Sequence, residues 1–254
     1  VTTSTAASEP LNTRELTALS TRFLTAVRRA EPTASIERKL AGLDVAALER
    51  LAADPMAATT VWCNLYNGFT QLLLDRDRSL YASRRRFFSQ RLIPVAGHRL
   101  SLDEIEHGIL RGRQWKLGGG YLRWPWYRSV IQQLCLPSAD RDYRIHFALN
   151  CGAASCPPIL AYDIDTIDEQ LSVATRSYLD GAVAYNAARN RATVPRLCLW
   201  FRGDFGGASG IQTLLDRFEQ VPPGAAPRLR YAPYDWSLST REFGAAGSED
   251  PATF

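Results

Sequence analysis

Trp62, Leu65, Tyr66, Phe69, Leu72 and Leu73 recur at helical spacing between Thr59 and Leu74. That run predicts a strongly amphipathic helix whose apolar side must be covered by other elements. Further helices are at hand. Asn12 or Thr13 can cap a helix carrying Leu16, Leu19, Phe23 and Val27, and Glu37 to Ala53 reads as a second, closed by Asp54-Pro55. Ser101-Leu-Asp-Glu104 and Thr166-Ile-Asp-Glu169 have the form of capping boxes, the first opening a helix through Leu110. A short helix is expected over Ile211 to Phe218. Strands are fewer: Arg144 to Leu149, Leu197 to Phe201 and Leu229 to Tyr234. They do not alternate with helices in a βαβ pattern. The expected fold is α+β, a mostly helical single domain packed around a small mixed β-sheet. It should occupy residues 12–243, with disordered segments at 1–11 and 244–254.

With 254 residues, 46% of them apolar, the chain can bury a substantial core. It has no apolar run of about 18 residues, so no transmembrane segment is expected. The formal charge of +4 comes almost wholly from arginine, since Lys39 and Lys116 are the only lysines. Without a lysine-rich arm or basic stripe, nucleic acid is not an expected partner. The stretch Val1 to Glu9, rich in Thr, Ser and Ala and lacking an initiating methionine, suggests an exported protein, periplasmic or extracellular. Five cysteines at irregular spacing do not make a disulfide scaffold. Cys63, Cys135 and Cys198 stand among apolar neighbours and are expected as buried thiols.

The chemistry concentrates in His146-Phe-Ala-Leu-Asn150-Cys151-Gly152-Ala-Ala-Ser155-Cys156-Pro157-Pro158. A strand delivering an imidazole, an amide and a thiol into a small-residue turn has the parts of a thiol-dependent active site. His146 and Cys151 are five residues apart, which in a continuous strand puts them on opposite faces. The strand must therefore end near Asn150, with Gly152 turning the thiol round. Gly118 to Gly120, followed by Tyr121, Trp124, Trp126 and Tyr127, reads as a surface loop.

Several of these stretches resemble one family. Val61-Trp-Cys-Asn64-Leu-Tyr66-Asn67 is similar to the aromatic-x-Asn-x-Tyr-Asn signature of the domain of unknown function 547 family. Ile105-Glu106-His107-Gly108-Ile-Leu-Arg111 looks like its second block, and Arg144 to Gly152 with Ser155-Cys156-Pro157 its third. Leu199-Trp-Phe with Asp204-Phe205, and Tyr234-Asp235-Trp236, fit its carboxy-terminal part. The resemblance runs from about Asp54 to Leu238 and implies no agreed activity. It implies Cys151 rather than Cys156 as the thiol to follow, and it draws Asn64 and Asn67 into the candidate site.

The leading expectation is a cysteine-dependent hydrolase or acyl transferase, peptidase- or amidase-like, acting on a peptide or small molecule. Cys151 would be the nucleophile, His146 the base and Glu106 the orienting group. Asn64, Asn67, Asn150 and His107 would bind substrate. A helical separation of about 100° should let only one of Glu106 and His107 face the site squarely. The alternatives are a zinc site of His146, Cys151 and Cys156, a Cys151–Cys156 disulfide, or a non-catalytic module that binds a protein partner. The expected site contains no metal, and nothing calls for a cofactor. A distance of roughly 3 to 4 Å from the Cys151 sulfur to an imidazole nitrogen, beside an open pocket, would favour catalysis.

Overall fold

Asn12 opens α1 (Thr13–Arg28) with a reciprocal capping box, its side chain accepting from the Glu15 N–H while Glu15 reaches back to its own. The computed structural model describes residues 11–241 and 243, so the expectation of disorder at 1–11 and 244–254 lies outside the described residues except at Leu11, which packs against the core. The second expected helix divides into α2 (Ala34–Ala41) and α3 (Val45–Ala52). Gly42 ends the first, and the Asp44 side chain caps the second at the Ala46 N–H.

The central element is α4 (Pro55–Arg76), capped by Asp54 with Pro55 in its first turn. Its burial corrects the amphipathic expectation. Every residue from Ala57 to Gln71 is buried, because α1, α3, a helix at residues 104–110 and a later helix, α7 (Ile167–Ala182), all pack against it. Its polar residues therefore face protein, not water.

After α4 come a 3₁₀ turn (Arg78–Ser83), the short helix α5 (Arg84–Ser89) and an antiparallel hairpin of β1 (Ile93–Val95) and β2 (His98–Leu100). Ser101 and Glu104 then form the expected capping box, with reciprocal bonds of 3.0 and 3.1 Å. The helix they open is a π-helix over Glu104–Leu110, and α6 (Ser129–Leu134) follows it. Bonds from the Arg111 N–H to Glu106 and from the Arg113 N–H to Gly108 each span five residues.

Two expected strands are helical. Tyr143–Phe147 is a 3₁₀ turn, because Asp142 accepts from both the Arg144 N–H and the Arg144 guanidinium. Leu197–Trp200 is a helical turn, α8. The Thr166 side chain makes no capping bond at the start of α7. The last helix is α9 (Gly207–Arg217).

The mixed sheet has three strands: β3 (Ala184–Asn186) runs antiparallel to β4 (Arg191–Val194), which pairs in parallel with β5 (Arg228–Tyr231). It lies beside a second apolar cluster rather than at the centre of the helices. The larger cluster is built on α1, α4 and the π-helix; the smaller holds Phe147, Leu179, Val194, Phe205 and Ile211. The 3₁₀ turn straddles both, sending Ile145 into the first and Phe147 into the second. The chain is a mostly helical α+β protein with a seam, and His146 stands on that seam.

The Gly118–Gly120 loop crosses to the far side of the seam. The Gly203 N–H donates to the Gly119 carbonyl at 2.7 Å, and a β-carbon on Gly120 would stand 2.6 Å from the Asp204 amide nitrogen. Only glycine permits backbones so close.

Candidate active site

A cavity of about 520 Å³ opens where the π-helix, the 3₁₀ turn, α8 and the segment after β5 converge. Cys151, His146, His107 and Glu106 all contribute to its wall, beneath an apolar surround that includes Phe88, Leu149, Trp200, Phe201 and Trp236. Both Glu106 and His107 reach it, against expectation. The wider π turn reduces the angle between neighbours that an α-helix would have imposed.

His146 is 5% exposed and stacks on the Phe201 ring, 4.0 Å between centroids. Its Nε2 lies 2.9 Å from Asp204 Oδ2. Burial lowers the imidazole's proton affinity despite the opposing carboxylate, so the ring is neutral near pH 7. Nε2–H then donates to Asp204, leaving the Nδ1 lone pair as acceptor. Asp204 also accepts from Arg111 Nε at 2.6 Å and Arg141 at 3.2 Å. Burial works against its ionisation, but the His146 bond and the Arg111 charge prevail and hold it well below the usual carboxylate range.

His107 faces a different partner. Burial and the Arg111 and Lys116 charges keep it neutral, and Arg111 donates to its Nδ1 at 2.9 Å. Arginine has only donors, so the His107 proton must sit on Nε2, toward Asp103 Oδ1 at 3.6 Å. Glu106 does not orient His146. Its Oε2 accepts from the Tyr66 hydroxyl at 3.2 Å, and its Oε1 lies 3.6 Å from His107 Nδ1. Burial, against the pull of Arg111, raises its pKa to about 7.

The thiol differs most from expectation. The hydrogen-bond partners of the Cys151 sulfur are the Cys156 sulfur at 2.9 Å and the Tyr234 hydroxyl at 3.6 Å, and neither is an imidazole. Cys156 receives the Cys151 N–H at 3.0 Å and the Tyr234 hydroxyl at 3.3 Å as well. These donors outweigh burial and bring the Cys156 thiol down to about 7, whereas the bond to Cys156 and burial push Cys151 up. Of the two thiols, Cys156 is therefore the first to ionise. The open pocket is present; the direct cysteine–imidazole bond is not.

The three asparagines are structural. The Asn64 side chain pairs with both backbone groups of Tyr162, at 2.8 and 2.9 Å. The Asn67 amide bridges the Ala148 carbonyl and the Asn150 N–H, at 2.9 and 2.8 Å. Asn150 closes the cysteine loop, accepting from the Gly152 N–H and donating to the Pro157 carbonyl. All three are fully buried, and none lines the cavity. Of the other thiols, Cys63 and Cys198 are buried, but Cys135 is only half-buried and bonds the Gln132 carbonyl.

Sequence reasoning passed over Asp204, Arg111 and Tyr234 as functional groups, although each stands in a stretch singled out for its family resemblance. Their signal was weak because partners 58 to 93 residues apart leave no spacing to read. Among the described residues, no group of three His, Cys, Asp or Glu side chains is arranged to hold a metal ion, and no helix is long and apolar enough to cross a membrane. A family model described as "Protein of unknown function, DUF547" matches residues 53–179. No curated protein and no solved structure matches the chain.

Proposed function

The chain belongs to the DUF547 family, whose description names no activity, and we propose from the site's geometry that it is a cysteine-dependent hydrolase or acyl transferase. One observation carries the reading: the Cys151 thiol, the buried Glu106 carboxyl and an imidazole held by the Asp204 carboxylate share one 520 Å³ cavity. The division of labour differs from a simple cysteine–histidine dyad. Cys151 opens onto the cavity and passes its proton to Cys156, 2.9 Å away. The resulting thiolate attacks the substrate carbonyl. Glu106, titrating near 7, gives its proton to the departing amine or alcohol. His146 Nδ1, with Asp204 on its other nitrogen, takes a proton from water, which attacks the thioester and releases Cys151. A second acceptor in place of water would make the reaction an acyl transfer. The apolar wall favours an uncharged acyl group.

An activated aryl ester tests this by burst kinetics and mass mapping. The acyl adduct is expected on Cys151 and absent from Cys151→Ala. Asp204→Asn should slow turnover on the order of 10²-fold while the adduct accumulates, because the neutral amide no longer fixes the tautomer of His146. An ester that leaves Cys151 unmodified removes the proposal. A protein-binding module is the second reading, favoured by Leu117 and Trp126, which are 74% and 76% exposed on the aromatic loop.

A further inference from the structure

The segment between the two cysteines is held more firmly than a nucleophile alone requires. Asn150 clamps it across the Gly152 N–H and the Pro157 carbonyl, at 2.9 and 2.8 Å. The Ala154 and Ser155 N–H groups bond the carbonyls of Ser237 and Asp235, and Tyr178 donates to the Ser155 carbonyl. Gly152 takes a φ of +85° that brings the chain round. The result is two free sulfurs 2.9 Å apart, where a covalent S–S bond would be about 2.0 Å. Closing the bond needs a shift of about 1 Å and little loss of chain freedom, because the loop is already ordered. The two sulfurs are also inequivalent. Cys151 lines the cavity, and Cys156 lies behind it with three donors directed at it.

We propose that Cys151 and Cys156 are a reversible dithiol–disulfide pair that exchanges with low-molecular-weight disulfides entering the cavity, Cys151 as the attacking sulfur and Cys156 as the resolving one. Cys151 gives its proton to Cys156 and attacks one sulfur of the incoming disulfide, bonding to it while the other sulfur leaves as a thiolate. The mixed disulfide on Cys151 is then attacked by Cys156, whose proton passes to the first thiolate. The second half of the small disulfide departs and takes a proton from solvent. Two protein thiols are oxidised, and one small disulfide is reduced to two thiols. The chemistry does not depend on the acyl-transfer reading. While oxidised, the pair would hold Cys151 unable to form a thioester.

The test uses the reduced full chain and oxidised glutathione, with no ester present. After acid quench, unfolding and iodoacetamide labelling, the alkylated cysteines should fall from five to three. Peptide mapping should find Cys151 joined to Cys156. Cys156→Ser should stop at a glutathione adduct on Cys151, a species that does not build up in the parent. The proposal is overturned if all five cysteines of the parent still alkylate, if glutathione settles on Cys156, or if the parent accumulates the mixed disulfide as the variant does. The parent's thiol count and crosslink decide the matter even if Cys156→Ser fails to fold. An acyl adduct on Cys151 of the reduced chain is a separate readout, so either reading can fail alone.

Discussion

Glu106 is the side chain whose surroundings most alter its ordinary behaviour. Folding buries it beside Tyr66 and raises its pKa from 4.5 to about 7. Between those values the folded chain keeps a proton that the unfolded chain releases, so this group's contribution to stability falls as pH rises from 4.5 toward 7. The loss is complete above 7 and amounts to ~3 kcal/mol. Glutamine can still accept from Tyr66 but cannot ionise. The stability gap between Glu106→Gln and the parent should therefore move in the variant's favour by ~3 kcal/mol from about pH 4 to pH 8, read by urea unfolding. A gap independent of pH would show that the carboxyl titrates normally. The sequence offered Glu106 as the carboxylate that a cysteine–histidine pair needs for orientation, but could not show that Asp204, 58 residues from His146, is the one bonded to it. Pairings of that range depend on how the helices stack, and no local pattern encodes them.

Among the elements, most caps were legible, the Thr166 box excepted, whereas of the three expected strands only the one from Leu229 is a strand. The Asn12 and Ser101 boxes and the Asp54-Pro55 start are local hydrogen-bond patterns, written in adjacent residues. Arg144 to Leu149 has the apolar, β-branched look of a strand, yet Asp142 draws the first turn into a 3₁₀ helix. The polar face of α4 was misleading for a related reason. Asn64 and Asn67 look solvated in a helical projection, but their amides replace water with the backbone of two irregular segments. Those bonds carry a measurable consequence. Asn67→Ala leaves the Ala148 carbonyl and the Asn150 N–H without a partner in a dry environment, at a cost of about 3 kcal/mol. Chemical unfolding of the variant checks the loss. A change below about 0.5 kcal/mol would show that water replaces the amide.

At the scale of the molecule, two apolar clusters meet along the line where His146 and Asp204 stand, and Arg111 crosses it. The side chain is 1% exposed, bonds His107 on one side and Asp204 on the other, and lies 4.5 Å over the Phe201 ring. Arg111→Met would strand a buried carboxylate with fewer partners and should cost ~3 kcal/mol. In limited proteolysis the parent should be trimmed only at its ends, and the variant should also be cut between Leu197 and Phe205. Identical digestion patterns would mean that apolar packing alone holds the two clusters together. The same line has a consequence for reading sequence variation. Gly120 carries no reactive group and is not one of the residues that line the cavity. Its backbone nonetheless rests on the Asp204 amide, where a single methyl group has no room. Gly120→Ala should displace the Asp204 carboxylate and reduce ester turnover while the chain stays folded. A change that would pass for a harmless loop polymorphism would disturb the cavity from outside it, and a survey of damaging alleles would have to count this position with the residues that line it.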